Sequence, residues 1–350
     1  MSPVERRSGR TITAKGCDRD AVRSTKKHVI CCCGLTWVSM RLLVPVPWSR
    51  RVWALPCLTA LCWPADQGSQ RRQKTSLDGV RHMMQQGRRW LPGRRLVLVV
   101  DGGFAAVALA LAGVTHRVIM VSRWRWDAAL YHPPGPQPPG KRGPKPLKGK
   151  RQRRLQGWAE RADTPWEMVE VDWYRGERKQ LWVFSRTALW YTPRWLPVAI
   201  RDVLVADPAG KLRMAAFFCT DLEATPVQIL PWVVRRWSVE VTCEEARAHL
   251  GLETQRQWSD RAIARTTPVL RALFSLVTVL TLKLSQGEQI PVPVTAWYHK
   301  PEPTFADCLA LVRRHLWRAR YVVNSATEPE FAQFPWETFE VLLHGFPLAA

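Results

Sequence analysis

The 350-residue sequence is short of acid: 29 Asp and Glu stand against 52 Lys and Arg, a formal charge of +23. An excess that large argues against an acidic or neutral surface and suits a polyanionic partner, nucleic acid first. Tyrosine is scarce, with 5 residues, while tryptophan reaches 19. The tryptophans form no repeated stacking pattern and no RNA-recognition motif is present, which argues against a general RNA-binding module. The nine cysteines include no Cys-x2-Cys pair, so a zinc site is not expected. Cys31, Cys32 and Cys33 are consecutive and read as strand residues in a reducing compartment. Long apolar runs are also missing. The longest, Val269 to Leu282, is interrupted by Arg271, ends at Lys283 and is too short to span a bilayer. Met1 to Arg10 is polar and basic, unlike a secretory leader. These features predict a soluble cytoplasmic protein that binds no membrane.

Apolar residues make up 46% of the chain, enough for a substantial core. The pattern predicts strands over 28–46 and 52–62 and a helix over 76–91, with Val80, Met83, Met84 and Leu91 on one face and Pro92 as terminator. Leu96-Val-Leu-Val-Val100 reads as a buried strand, followed by Asp101-Gly-Gly-Phe, a helix over 105–112 and a strand over 117–121. Asp101 thus falls at the C-terminal end of a strand, where open α/β sheets gather their functional groups. A helix N-cap is the competing reading of Asp101. Residues 133–154 carry seven prolines, eight Lys or Arg and no acid, and predict an extended, self-repelling loop. Alternating Val, Trp and Phe predict strands over 166–173, 180–185, 198–206 and 212–219. Further helices are expected over 260–284 and 305–317.

Between these lies Trp232 to Gly251, which reads as one helix with Thr225 as N-cap and Pro226 in its first turn. Pro231 should bend it, and Gly251 should end it. Arg236, Glu240, Glu244 and Arg247 then share one face, beside an apparently buried Trp237. Solvated ion pairs are the plain reading of such a face, worth roughly 0.2–0.5 kcal/mol each.

The order Arg236-Trp237-Ser238-Val239-Glu240, with Arg247 seven positions on, resembles the glutamate helix of DDE transposases of bacterial insertion sequences, Tyr-x2-Arg-x3-Glu-x6-Lys. Arg236 and Glu240 match. Arg247 replaces the lysine, and Val233 stands at the tyrosine position. The stretch Gly251-Leu-Glu-Thr-Gln-Arg-Gln-Trp-Ser-Asp260 resembles the insertion sequence 701 group. The resemblance implies a ribonuclease-H-like α/β fold with a β-rich insertion and C-terminal helices. It implies domains over 1–130 (first part of the core), 131–222 (insertion with the basic proline-rich loop), 223–285 (glutamate helix and its successor) and 286–350 (helical tail).

The resemblance also implies the chemistry: DNA strand cleavage and transfer at element ends and target, with three carboxylates gathering two Mg²⁺ ions. Asp101 matches the second aspartate and Glu240 the glutamate, as catalytic and metal-holding residues. Arg236, Arg247, Lys141, Arg142, Lys145, Lys148, Lys150 and Arg151 are the expected DNA contacts. Glu5-Arg-Arg-Ser-Gly9 resembles the stretch that closely follows the first catalytic aspartate. Counting back places that aspartate at Met1, so the expectation is a truncated, inactive copy or a mis-called start codon, with a homodimer possible. Asp18, Asp20 and Asp221 are other acids, and Asp221 is expected in a turn or cap. The alternative class is a non-catalytic DNA-binding relic or an inhibitor of a full-length transposase.

Overall fold

The structure is a computed structural model that describes residues 5–6, 14–17, 31–62, 75–136, 143–255, 257, 259–286, 290–292 and 300–325, excepting the side chains of 5–6, 14–17, 31–33 and 320–325. Asp18, Asp20, Lys141, Arg142 and the chain beyond Ser325 lie outside the described residues. Two compact units emerge, one comprising 1–38 and 60–237, the other 39–59 and 238–350.

The first unit carries a small sheet and a large one. In the small sheet β1 (Glu5–Arg6) and β2 (Ala14–Cys17) flank β3 (Cys31–Val46), and β4 (Ser49–Cys62) also pairs with β3. The outer part of the β3–β4 hairpin belongs to the second unit.

Helix α1 (Ser76–Trp90) starts where the sequence predicts. Thr75 and Asp78 form a reciprocal capping box, Arg88 and Arg89 occupy the last turn, and Val80, Met83 and Met84 are buried. Strand β5 (Leu96–Val100) follows, then a 3-10 turn at Gly102–Phe104, α2 (Val107–Thr115) and β6 (Val118–Arg123). β5 and β6 run parallel, with α2 as the crossover. Then come β7 (Leu130–Tyr131), α3 (Leu155–Ala159), β8 (Glu167–Asp172), β9 (Arg178–Trp190), β10 (Val198–Ala206) and β11 (Ala215–Cys219).

These strands complete one seven-stranded sheet in the order β5-β6-β11-β10-β9-β7, with β8 also on β9. The β-rich stretch therefore extends the same sheet through antiparallel pairing of β11 with β6. An internal position for Leu96–Val100, expected from its unbroken apolar run, is not what the structure shows. β5 ends the described order, and only Val100 of its five residues is buried. The α/β class, the β-rich region and the C-terminal helices are as the sequence leads one to expect.

Side-chain parity places Val121, Cys219, Val203 and Val183 on one face of the sheet, covered by Ile229 and Leu230 of α4 (Pro226–Arg235). On the other face Trp124, Trp190 and Phe218 meet, with ring centroids 4.4–5.1 Å apart. That face also buries a charge. Arg186 on β9 donates to Asp202 on β10 at 3.1 Å, and Asp202 is 1% exposed. Burial pushes the Asp202 carboxyl up to about 6, partly offset by Arg186.

The second unit packs the hairpin's outer part with α5 (Ser238–Leu250), α6 (Asp260–Ser285) and α7 (Phe305–Ser325). Trp53, Phe274 and Phe305 form its aromatic centre, with the Phe274 and Phe305 rings stacked at 4.2 Å. Helix α6, capped by Ser259, is longer than the apolar run within it, because it begins at Asp260 and continues to Ser285. It is the one described helix long and apolar enough to cross a membrane by length and composition. Its Phe274 and Val277 are core residues, and Val269 and Leu276 are exposed.

Candidate carboxylate site and nucleic-acid interface

Asp101 is exposed just past the C-terminal end of β5. Its Oδ1 accepts from the Gly102 N–H at 2.8 Å and caps the 3-10 turn, so the capping role is realised. Gly102 occupies a tight place. A Cβ there would sit 3.3 Å from the Arg123 carbonyl oxygen at the end of the neighbouring strand, whereas Gly103 faces open space.

Glu240 belongs to the second unit, and the helix that carries it is not the one the sequence predicts. The run from Trp232 to Gly251 is two helices. α4 ends at Arg235, where the Arg236 and Trp237 N–H groups bond to Val233 and Val234, tightening the last turn. α5 then restarts at Ser238. Arg236 caps α4 and shares no continuous helix with Glu240. Trp237, expected to be buried, is 53% exposed. Pro231 is inside α4 and buried.

Glu240, Glu244 and Arg247 do lie on α5, and that helix is pinned by side chains. Arg41 of β3 donates to the Val239 carbonyl and, at 2.9 Å, to Cys243 Sγ. Thr242 Oγ1 donates to the Ala54 carbonyl at 3.0 Å. Neither Arg41 nor Thr242 was legible as a site residue, because their partners lie 202 and 188 positions away in the chain. Arg247 forks onto Glu253, with Nε at 2.6 Å and Nη2 at 3.2 Å from the two carboxylate oxygens. The acid it forks onto thus lies beyond the helix rather than on it.

Among the described residues, three other acids of the first unit, Asp221, Asp202 and Asp127, have partners of their own. Asp221 accepts from Arg95 at 2.7 Å and from the Glu223 N–H at 3.1 Å, the turn role expected of it. Arg95 precedes β5 and Asp101 follows it, roughly 20 Å along the strand at about 3.3 Å per residue, so Asp221 is held at the opposite end of β5 from Asp101. Asp202 lies on the register row Val100–Ser122–Phe218–Asp202. Three strand spacings of about 4.8 Å put it roughly 14 Å from the end of β5. Asp127 pairs with Arg125 at 3.1 Å.

The described donors do not by themselves make up a two-metal centre. Such a centre needs carboxylates converging on ions roughly 3.5–4 Å apart. Among the described residues no three His, Cys, Asp or Glu side chains gather to hold an ion.

The part of the basic segment that follows residue 142 is not simply the extended loop its prolines suggest. Residues 149–152 fold back along β7 as a short ladder. The Gly149 N–H bonds to His132 O at 2.8 Å, His132 N–H to Lys150 O at 2.9 Å, and Gln152 N–H to Leu130 O at 2.8 Å. Gly149 is required by this approach, since a Cβ would fall 2.4 Å from the Pro133 oxygen. Lys148 sits over two rings, with Nζ 3.8 Å from the Tyr131 centroid and 4.4 Å from that of Tyr191. Lys145, Lys150 and Arg151 are exposed. Of the expected cations of this segment, the four that are described thus divide into one engaged by aromatics and three presented to solvent.

A family model described as "DDE superfamily endonuclease" matches residues 2–180, slightly more than half of the chain. The chain belongs to this family. The matched segment of this DDE superfamily endonuclease contains Asp101 and the basic ladder; Glu240 lies beyond it. No curated protein matches the sequence. Among solved structures, a piggyBac transposase synaptic complex with hairpin DNA, determined by cryo-EM, is similar at 9% identity and a TM-score of 0.40. The similarity covers 93% of this chain and 53% of that one, so the chain spans about half the length of that transposase.

Proposed function

We propose that the protein is a DNA-binding DDE transposase relative, of ribonuclease-H-like descent, that does not cleave DNA by itself. The family match over residues 2–180 carries the kinship, and the lack of three gathered metal-ligating side chains among the described residues motivates the absence of cleavage. Three further features support it: the charge of +23, the exposed cations Lys145, Lys150 and Arg151, and an acid at the C-terminal edge of a parallel strand pair.

Asp101 and Glu240 are the acids that would hold divalent metal, Mg²⁺ in the first instance. They are two of the three that the chemistry uses. In a complete set of three the metal would activate water and stabilise the leaving oxygen; two acids alone leave that clamp open. Asp101 would be presented by β5 and its turn, and Glu240 by the pinned helix α5. Arg236 and Arg247 would act near the DNA, with Arg247 exchanging Glu253 for phosphate. Membership of the insertion sequence 701 group, a homodimer and a cytoplasmic location belong to the same proposal.

Salt dependence tests the DNA interface. Each phosphate neutralised contributes about −0.9 to the slope of log K against log salt. Replacing Lys150 and Arg151 with Ala should flatten the slope by about two units on duplex DNA. Lys148→Ala should change it less, because that ammonium is held between tyrosine rings. An unchanged slope in the double variant would contradict this interface.

A further inference from the structure

Helix α6 has an outer face that is not polar. Its inner face buries Ile263, Phe274 and Val277. The outer one carries Arg265, Val269, Ala272, Leu276, Val279 and Lys283, all exposed, with Val269 at 62%, Leu276 at 53% and Val279 at 43%. These residues recur at four, three, four, three and four positions. Such a repeat, about 3.5 residues on average, is the seam along which one helix packs on another. Apolar side chains fill its middle, and a cation closes each end. Those cations argue against a second copy of α6 as the occupant. In a parallel pair Arg265 would meet Arg265, and in an antiparallel pair it would meet Lys283. Juxtaposed like charges across an interface are unfavourable, so the seam calls for an acidic partner.

The same chain contains a segment of that chemistry. Residues 326–350 hold four Glu and no Lys or Arg, in a protein of charge +23. Within them Trp336, Phe339 and Leu343 recur at three and four positions, with Glu337 and Glu340 beside them. This is the repeat of the seam with the opposite charge. Chain length permits the contact. The Thr281 hydroxyl is 3.4 Å from the Cys308 carbonyl oxygen, so α7 passes the C-terminal part of α6. From Cys308 the helix runs roughly 26 Å to Ser325 at about 1.5 Å per residue. The stretch from Ser325 to Trp336 can span up to roughly 36 Å at about 3.3 Å per residue. We propose that residues 336–343 of this chain dock on the outer seam of α6. Trp336, Phe339 and Leu343 cover the part from Val279 to Ala272, and Glu337 and Glu340 lie nearest Lys283.

The test is photo-crosslinking of the full chain with benzoylphenylalanine in place of Ala272. The expected product runs as a monomer on a denaturing gel, with the cross-link mapped by mass spectrometry to residues 336–343. Phe339→Asp should lower its yield about tenfold, as loss of a buried aromatic anchor does. Glu337→Lys together with Glu340→Lys should lower it about fivefold at low salt, and adding Lys283→Glu to that pair should restore it. The same probe in place of Val114, exposed on α2 in the first unit, should not capture this segment. A covalent dimer would assign the seam to a second copy, and capture only after phospholipid vesicles are added would assign it to a membrane. Either result would overturn the proposal, as would a cross-link to any other peptide or no cross-link at all.

Discussion

The two units hold their candidate acids by different means. Asp101 is placed by main chain: a short parallel strand, a capped turn and a glycine that lets that turn close against Arg123. Glu240 is placed by side chains, since Arg41 and Thr242 reach from the hairpin to the backbone and thiol of its helix. Main-chain placement asks little of residue identity except at glycine. Side-chain placement depends on each partner, because removing one leaves another buried group unsatisfied. Single substitutions should therefore disturb the setting of Glu240 more than that of Asp101.

The largest effect is expected where the first unit departs from this rule and buries a charge. Asp202 has a folded-state pKa of about 6, above its ordinary value of 3.8, because it is desolvated. The folded protein then holds a proton that the unfolded chain releases. This group's contribution to stability is fully present below pH ~4 and is lost as pH rises through about 6. The span amounts to roughly 3 kcal/mol at about 1.4 kcal/mol per pK unit. Urea unfolding of the natural chain and of Asp202→Asn should show the difference between them shift against the natural chain across that window. A difference independent of pH would contradict the buried-acid account.

A smaller loss is expected from Arg41→Ala. It should cost the second unit about 1–3 kcal/mol, the range for buried polar groups left without partners. Amide exchange should accelerate in α5 while β10 and β11 keep their protection. Equal acceleration in both would break the contrast between the units.

The smallest effect sharpens the main-chain side. Gly102→Ala must move the Arg123 carbonyl by a few tenths of an ångström, and about 1 kcal/mol is expected. Gly103→Ala meets nothing within 4 Å and should stay within about 0.5 kcal/mol. Equal costs at the two positions, read from denaturant midpoints, would remove the close approach as the reason for glycine.

The sequence made the local chemistry legible and left the long-range chemistry hidden. Thr225 with Pro226 marks a helix start because capping is decided within four residues, and the caps at Thr75 and Ser259, not read from the sequence, follow the same rule. Strand β10 lies where alternation put it, over 198–206. The break at Arg236–Trp237 was not legible, since the helical pattern runs through it without Gly or Pro at the break. Nor was the engagement of Lys148 by Tyr131 and Tyr191, or of Asp221 by Arg95, because these partners meet only through the tertiary fold. Asp101 and Glu240 could be singled out because each sits in a short motif. The pairing of β11 with β6, which makes the β-rich stretch part of the main sheet, has no signal in either strand alone.

The account stands most directly on what the chain does to DNA in the presence of metal. The decisive measurement is incubation of the full chain with end-labelled duplex DNA in Mg²⁺ and in Mn²⁺, resolved on native and denaturing gels. The prediction is a salt-sensitive retarded complex on the native gel and intact strands on the denaturing one. Metal-dependent nicking that is lost in Asp101→Asn or Glu240→Gln would show that these acids complete a working centre, and would contradict the claim that the chain binds DNA without cutting it.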